Sequence, residues 1–167
     1  ILMIQGDEPL VCPDTIKDMS NAFNEKHIDI VNIMSKIKSE DDLHDKNNVK
    51  VVVNNKQNAM YFSREPIPSP WLKFSKKNSY MQTGIIGFKS KSLMKFNSLD
   101  ETPLEVLESV DMNRALEMEM KIKMILCNEK MIGVDIPDDI KKAETLMKND
   151  MVFKKYIKQL SKLESRI

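Results

Sequence analysis

No feature narrows the fold of this chain more than its opening residues. Ile1-Leu2-Met3-Ile4 is an apolar run that stops at Gln5. Gly6 permits a sharp turn, the adjacent carboxylates Asp7 and Glu8 follow, and Pro9 ends the extended pattern. A short apolar run bounded by turn residues predicts a buried strand, here over residues 1–5. An acid just past such a strand stands where open α/β sheets gather their ligand-binding groups. A strand of this kind is rarely the first element of a complete α/β enzyme. The expectation is therefore an α/β chain that lacks its N-terminal part.

The pattern further along supports the same class. Asp14 or Thr15 can cap a helix over residues 14–26, in which Ile16, Met19 and Phe23 recur at helical spacing. Ile28, Ile30, Ile33 and Ile37 mark a strand through 28–37, and 39–45 reads as a short helix or turn. Val49 to Val53, the Asn54-Asn55 turn and Ala59 to Ser63 form a hairpin signal that Pro66, Pro68 and Pro70 terminate. A long loop carrying Trp71 then runs to Tyr80. Loops of that length in compact domains are often functional. Residues 82–88 read as a strand, and Ser90 as the cap of a short helix. Thr102, Pro103 and Glu105 give a capping-box helix start, with the helix running to Met118 in one piece or two. A strand over 121–127 and a Lys-rich helical tail from Pro137, with a break near Asn149-Asp150, complete the reading.

Composition excludes more than it selects. With 26 basic against 25 acidic residues the net charge is +1, so bulk charge makes no case for nucleic acid or membrane as partners. No apolar run approaches the roughly 20 residues needed to span a bilayer, so membrane insertion is not expected. Two cysteines, Cys12 and Cys127, cannot build a disulfide framework and suit a reducing, cytoplasmic setting. Only two histidines are present and no Cys-x-x-Cys, which argues against zinc.

Several residues carry candidate chemistry. Asp7 reads equally well as a loop acid capping the next turn and as a Mg²⁺ ligand. Magnesium takes hard oxygens, commonly one or two carboxylates plus substrate phosphates. Asp135, after Gly133-Val134 and before Pro137, sits in a similar turn and could be a second ligand or simply a helix cap. Arg64 follows Tyr61-Phe62-Ser63; its planar fork suits a carboxylate or phosphate, against the plainer reading of a solvated strand end. Glu105, Glu108 and Asp111 share a helical spacing that by itself reads as a solvated face. No Walker-type loop or Gly-x-Gly-x-x-Gly is present.

Taken in order, Gln5-Gly6-Asp7-Glu8-Pro9, Val49-Lys50-Val51-Val52, Ala59 to Pro68, Gly84-Ile85-Ile86-Gly87-Phe88, Thr102 to Arg114 and Gly133 to Ile140 resemble the 3-deoxy-manno-octulosonate cytidylyltransferase (CMP-Kdo synthetase) family. The resemblance covers nearly all of residues 1–147. It implies a Rossmann-like nucleotide-diphospho-sugar transferase fold: a mixed, mainly parallel sheet with flanking helices, N-terminally incomplete. It implies transfer of CMP from CTP to the acidic sugar Kdo with release of pyrophosphate, in lipopolysaccharide or cell-surface polysaccharide synthesis, by a homodimer. By the same resemblance Asp7 and Asp135 hold Mg²⁺, Gln5 and Arg64 hold the sugar acid, and Glu105 and Glu108 line its pocket. The Val49–Ser63 hairpin and the loop after it are the expected dimer surface. Residues 1–147 then form the C-terminal part of the cytidylyltransferase domain, and 148–167 a helical extension. In that extension Phe153, Tyr156, Ile157, Leu160 and Leu163 recur at helical spacing. Two departures stand out. The family's N-terminal phosphate-binding segment is absent, and Gln82 replaces a usual His while Ile86 replaces a common Tyr. CMP activation of another acidic sugar, such as a sialic-type sugar, and a non-catalytic truncated domain are the alternative readings.

Overall fold

The computed structural model describes residues 1–71, 73–127, 133–134 and 137–164; Asp135 lies outside them. The described elements, in chain order, are β1 (Leu2–Ile4), α1 (Pro13–Ala22), β2 (Ile30–Lys36), α2 (Glu40–His44), β3 (Lys50–Val53), β4 (Ala59–Ser63), β5 (Tyr80–Phe88), α3 (Ser90–Asn97), α4 (Pro103–Glu108), α5 (Met112–Glu117), β6 (Ile122–Leu126), α6 (Pro137–Asn149) and α7 (Met151–Glu164). The sheet runs β4-β3-β5-β2-β6, with β1 also paired to β5.

β2 is the spine. Its first six residues are all buried because both faces are covered. Ile30 and Met34 join Phe62, Ile86, Phe88 and Met112 in one apolar layer. Val31 and Ile33 join Met19, Ile28 and Ile85 in the layer under α1. A strand buried on both faces is mostly apolar; here Asn32 and Ser35 are the buried polar exceptions.

β5 carries the irregularity that shapes the site. Asn32 pairs with Ile86, but Met34 pairs with Gln82, so β5 bulges between these positions. Asn32 Nδ2 donates to the carbonyls of Thr83 (3.1 Å) and Ile85 (2.8 Å), and Thr83 Oγ1 donates to the Ile33 carbonyl. Side chains thus replace the ladder bonds that the bulge removes. Bulges re-aim the backbone beside functional sites. Here Gly84 turns toward β1: its carbonyl accepts from Gln5 N–H and its own N–H donates to Glu8 Oε1.

Several expectations need correction. β1 is not buried: Ile1, Leu2, Met3 and Ile4 are all exposed, since this three-residue strand pairs with β5 alone among the described strands. The α/β class and the mixed sheet are as expected, but the sheet is not mainly parallel. Among the described pairings β2–β6 is parallel, while β1–β5, β2–β5, β3–β4 and β3–β5 are antiparallel. The capping residue of α1 is Cys12, with Pro13 at the first helical position, rather than Asp14 or Thr15. Lys89, not Ser90, precedes α3. Residues 103–118 form two helices because Ser109 adopts a left-handed conformation (φ 52°) that ends α4.

Gly87 tests the packing of β1 and α1 on β5. A Cβ there would stand 2.7 Å from Leu2 Cδ2 and 3.0 Å from the Phe23 ring. Gly87→Ala is expected to destabilise the fold by about 1–3 kcal/mol in chemical denaturation, as overpacking does. Gly6→Ala, which meets open space, should stay within about 0.5 kcal/mol of the parent.

Candidate functional site

A cavity of about 670 Å³ opens where four pieces of chain meet: the Gln5–Glu8 turn, the β5 bulge, residues 47–49 leading into β3, and the corner between α4 and α5. Gln5, Asp7, Arg64, Gln82 and Glu105, all singled out from sequence, line it together. Glu108 does not line it but stands behind Arg64.

Glu108 organises one wall. Its Oε1 accepts from Tyr61 Oη (2.9 Å) and Ser63 Oγ (2.8 Å), and its Oε2 from the Arg64 backbone N–H (2.9 Å). Desolvation by itself would raise this carboxyl, but the three hydrogen bonds outweigh it and hold the group below its ordinary value. Desolvation, then the hydrogen bond to Glu108, pushes the Tyr61 hydroxyl up in turn. The end of β4 is thereby fixed, and the Arg64 side chain folds over the last carbonyls of α4. Its Nε donates to Glu108 O (3.0 Å), Nη2 to Ser109 O (3.1 Å) and Nη1 to Lys46 O (2.8 Å). A cation at a helix C-terminus meets the negative end of the helix dipole.

Below this wall lies Lys50, completely buried. Its Nζ donates to the carbonyls of Asp45 (2.9 Å) and Arg64. Burial pulls its pKa down, as the loss of water disfavours an ammonium. The buried ammonium ties the loop before β3 to the residue after β4.

Glu105 is buried rather than part of a solvated face. It closes the capping box with Thr102 and pairs with Arg114 Nη2 at 2.8 Å. The Arg114 guanidinium in turn lies 4.5 Å from the centre of the Phe96 ring. Asp111 falls after the α4 break, at the N-cap of α5, and faces the cavity. Desolvation raises its carboxyl, against the lowering hydrogen bond from Met112 N–H.

Asp7 is half-buried at the cavity mouth, and its carbonyl accepts from Val134 N–H at 2.9 Å. That bond brings Gly133 and Val134 against the Asp7 turn. Among the described residues no cluster of three or more His, Cys, Asp or Glu could hold a metal by itself. The donor set here is hard oxygen, with five carboxylates (Asp7, Glu8, Glu101, Glu105, Asp111) and the Arg64 cation on the lining. That set fits a hard cation that takes its remaining ligands from phosphates and water.

Sequence reasoning passed over Ser35, Asn47, Asn48, Thr83 and Glu101, which also line the cavity. Ser35 and Thr83 were hidden inside apolar strands, where a small polar residue carries no positional signal. Lys50 did leave a signal, a lone Lys inside a β-branched run. Ile86, one of the two departures from the family pattern, points into the apolar layer and is 2% exposed. Gln82 faces the cavity, and its Oε1 is buried without a hydrogen-bond partner among the described residues.

Comparison with known proteins places this geometry. A family model described as cytidylyltransferase matches residues 1–122. The 3-deoxy-manno-octulosonate cytidylyltransferase of Flavobacterium johnsoniae is 34% identical over 152 residues, covering 89% of this chain and 62% of that protein. The enzyme of the same name from Thermodesulfovibrio yellowstonii is 37% identical over 149 residues, covering 86% and 58%. Among solved structures, a CMP:2-keto-3-deoxy-manno-octonic acid synthetase complexed with CTP superposes with a TM-score of 0.79 at 28% identity, over 89% of this chain and 61% of that one. An inositol-1-phosphate CTP transferase from T. maritima, 23% identical with a TM-score of 0.55, shares the fold. The chain thus spans about three-fifths of the length of the curated relatives it matches.

Glu108→Gln is expected to cost about 1–3 kcal/mol of unfolding free energy, because buried donors lose a charged acceptor. The pH dependence carries the sign. Glu108 lies below its ordinary 4.5 when folded, so its contribution is complete above that value and is lost as pH falls through the folded value. Denaturation curves between neutral pH and pH 3 should show the parent losing its advantage over Glu108→Gln only on the acid side.

Proposed function

We infer that this chain, which belongs to the cytidylyltransferase family, forms the sugar-acid side of an enzyme that transfers CMP from CTP to 3-deoxy-manno-octulosonate. One observation carries this reading. The Arg64 guanidinium lines the cavity while its described partners are backbone carbonyls, not carboxylates. Its charge is therefore oriented but not neutralised, the condition for taking up a substrate carboxylate.

In the reaction the sugar's anomeric hydroxyl attacks the α-phosphorus of CTP. An O–P bond forms, the bond to the β-phosphate oxygen breaks, pyrophosphate leaves, and the hydroxyl proton passes to solvent or a nearby base. Arg64 fixes the sugar carboxylate, and the Gln5 amide, lying over Gly84, and the Gln82 side chain line the cavity that would take the sugar hydroxyls. Holding two reactants in line is most of what such a transfer asks of a protein. Asp7 is the proposed carboxylate for Mg²⁺, with Asp135 following Val134 in sequence as its companion. When bound, the ion would neutralise charge on the phosphates as it builds. Cys12 and Cys127, both buried and neither in a disulfide, suit a cytoplasmic enzyme, and the β3–β4 hairpin is the proposed contact surface of a homodimer. Residues 1–147 are proposed as the C-terminal part of the cytidylyltransferase domain, with its sugar-binding and dimerisation elements, and 148–167 as a helical extension. A different acidic sugar is the second reading, and Gln82 alone supports it, since Ile86 does not reach the cavity.

The test is pyrophosphate release from CTP, with and without Mg²⁺, offered Kdo and a sialic acid in turn, in the protein carrying these residues. Release with Kdo is expected; no release with any sugar acid from folded protein rejects the reading. Arg64→Ala should raise the KM for the sugar acid about 10–100-fold, the size of one charge-assisted contact, with KM for CTP unchanged. Calorimetric titration with Kdo and its methyl ester should show the parent preferring the free acid and the variant showing no preference. Asp7→Asn and Asp135→Asn should each abolish the Mg²⁺-dependent rate; near-normal turnover in both would remove them as ligands.

A further inference from the structure

Among the described residues Lys50 is the only buried lysine, and its exposure is 0%. It opens β3, whose other residues are valines. The sheet already places its backbone, paired with Ser63 of β4 and Met81 of β5. The side chain is not needed for that ladder. Its ammonium reaches past the strands to two carbonyls outside them: Asp45 O, at the C-cap of α2, and Arg64 O, one residue beyond β4. An unbranched apolar chain such as Met would fill the same space without the cost of desolvating a charge. What Met could not do is bind two carbonyls. The reason for a lysine therefore lies in what those carbonyls carry.

Both lead to the cavity. From Asp45 the chain runs through Asn47, Asn48 and Val49, which line it, and back to Lys50. Asp45 turns that loop on itself: its Oδ1 accepts from Asn47 N–H and its carbonyl from Asn48 N–H. The next carbonyl, Lys46 O, accepts from Arg64 Nη1 at 2.8 Å. A closed circuit results. Lys50 Nζ holds Asp45 O, the neighbouring Lys46 O holds the Arg64 guanidinium, and the carbonyl of Arg64 returns to Lys50 Nζ. Arg64 is thus gripped at both ends, its main chain by the ammonium and its guanidinium through the loop that the ammonium anchors. Its remaining described donors go to Glu108 and Ser109 at the end of α4. Lys50 therefore supplies the attachment on the β3 side, and without it Arg64 is held by α4 alone.

We propose that Lys50 is a positioning residue for the sugar-acid site: by holding the Asp45 and Arg64 carbonyls together it sets the direction in which the Arg64 guanidinium meets a carboxylate. This rests on the reading of the cavity as a sugar-acid site, and the test separates the two. The variant is Lys50→Met, in the protein carrying these residues, with circular dichroism and Tm confirming the fold. In pyrophosphate release its KM for Kdo should rise on the order of 10-fold, a part of what loss of Arg64 removes, with kcat and the KM for CTP within about twofold of the parent. In an Arg64→Ala background the same change should raise that KM no further, because a residue acting only through Arg64 has nothing left to act on. A second readout needs no activity. By NMR of protein with isotope-labelled arginine, Arg64 Nε–H should exchange with solvent about 10-fold faster in Lys50→Met, while the Arg114 signal stays as in the parent. Lys50→Gln, which keeps a donor but not the charge, repeats both readings where Lys50→Met loses its fold. An unchanged KM for Kdo in active protein, or unchanged Arg64 exchange, overturns the proposal. So does a further rise in the Arg64→Ala background. Loss of fold in both variants also overturns it, by making Lys50 a residue of the fold and not of the site. A parent that releases no pyrophosphate with any sugar acid rejects the functional reading instead, and Arg64 exchange then decides the positioning role by itself.

Discussion

The charge of the cavity hangs on one carboxylate. Glu108 is the last residue of α4, yet its hydrogen bonds go to β4: to the Tyr61 hydroxyl, the Ser63 hydroxyl and the Arg64 N–H. Those bonds set where the strand ends and in which direction the next side chain leaves. Arg64 can fold over the α4 carbonyls only because its own N–H is already held by the residue that ends that helix. Lys50 completes the clamp from beneath by binding the Arg64 carbonyl. Two partly or wholly buried charges would each cost stability alone. Here each is held by polar partners, and the Arg64 guanidinium, whose described partners are carbonyls, belongs to a residue of the cavity lining.

A second support acts on the same strand. β4 is an edge of the described sheet, and the buried Asn113 amide accepts from Phe62 N–H and donates to Phe62 O. A side chain of α5 thus takes the place of a neighbouring strand and seals an edge that would otherwise invite pairing. The break at Ser109 that splits α4 from α5 makes both contacts possible. One continuous helix could not aim Glu108 at Ser63 and Asn113 at Phe62 while leaving Asp111 on the cavity wall.

How far this was legible depends on the range of the interaction. Elements set by local pattern were readable: the β3–β4 hairpin, the Thr102 capping box and the division near Asn149 all follow from residues close in sequence. Gln5, Asp7, Arg64, Gln82 and Glu105 were readable as a group only through their resemblance to a family. Strand orientation was not readable, since an apolar strand such as β2 looks the same whether its neighbour runs with it, as β6 does, or against it, as β5 does. Nor was the fate of β1. Ile1 to Ile4 look like a core strand, but exposure is decided by what lies beside a strand, and a sequence window does not hold that. The β5 bulge was hidden for the same reason. Gly84 and Gly87 hinted at close approach, while the partner that stitches the bulge, Asn32, is some fifty residues away.

The balance of charge on the cavity wall argues for the division of labour proposed for it. Five carboxylates face one guanidinium there, and Glu105 is already neutralised by Arg114. A sugar acid and a nucleoside triphosphate together would bring several more negative charges into a region that is acidic to begin with. Arg64 can offset one of them. On the proposed reading the remainder would be met by a cation that is not a side chain of the described wall, and Asp7, half-buried on the lining, is the carboxylate proposed to hold it. An acid-rich pocket is thus consistent with an anionic substrate when the acids are read as the protein's share of a metal site, with Arg64 kept for the one carboxylate that the metal does not serve.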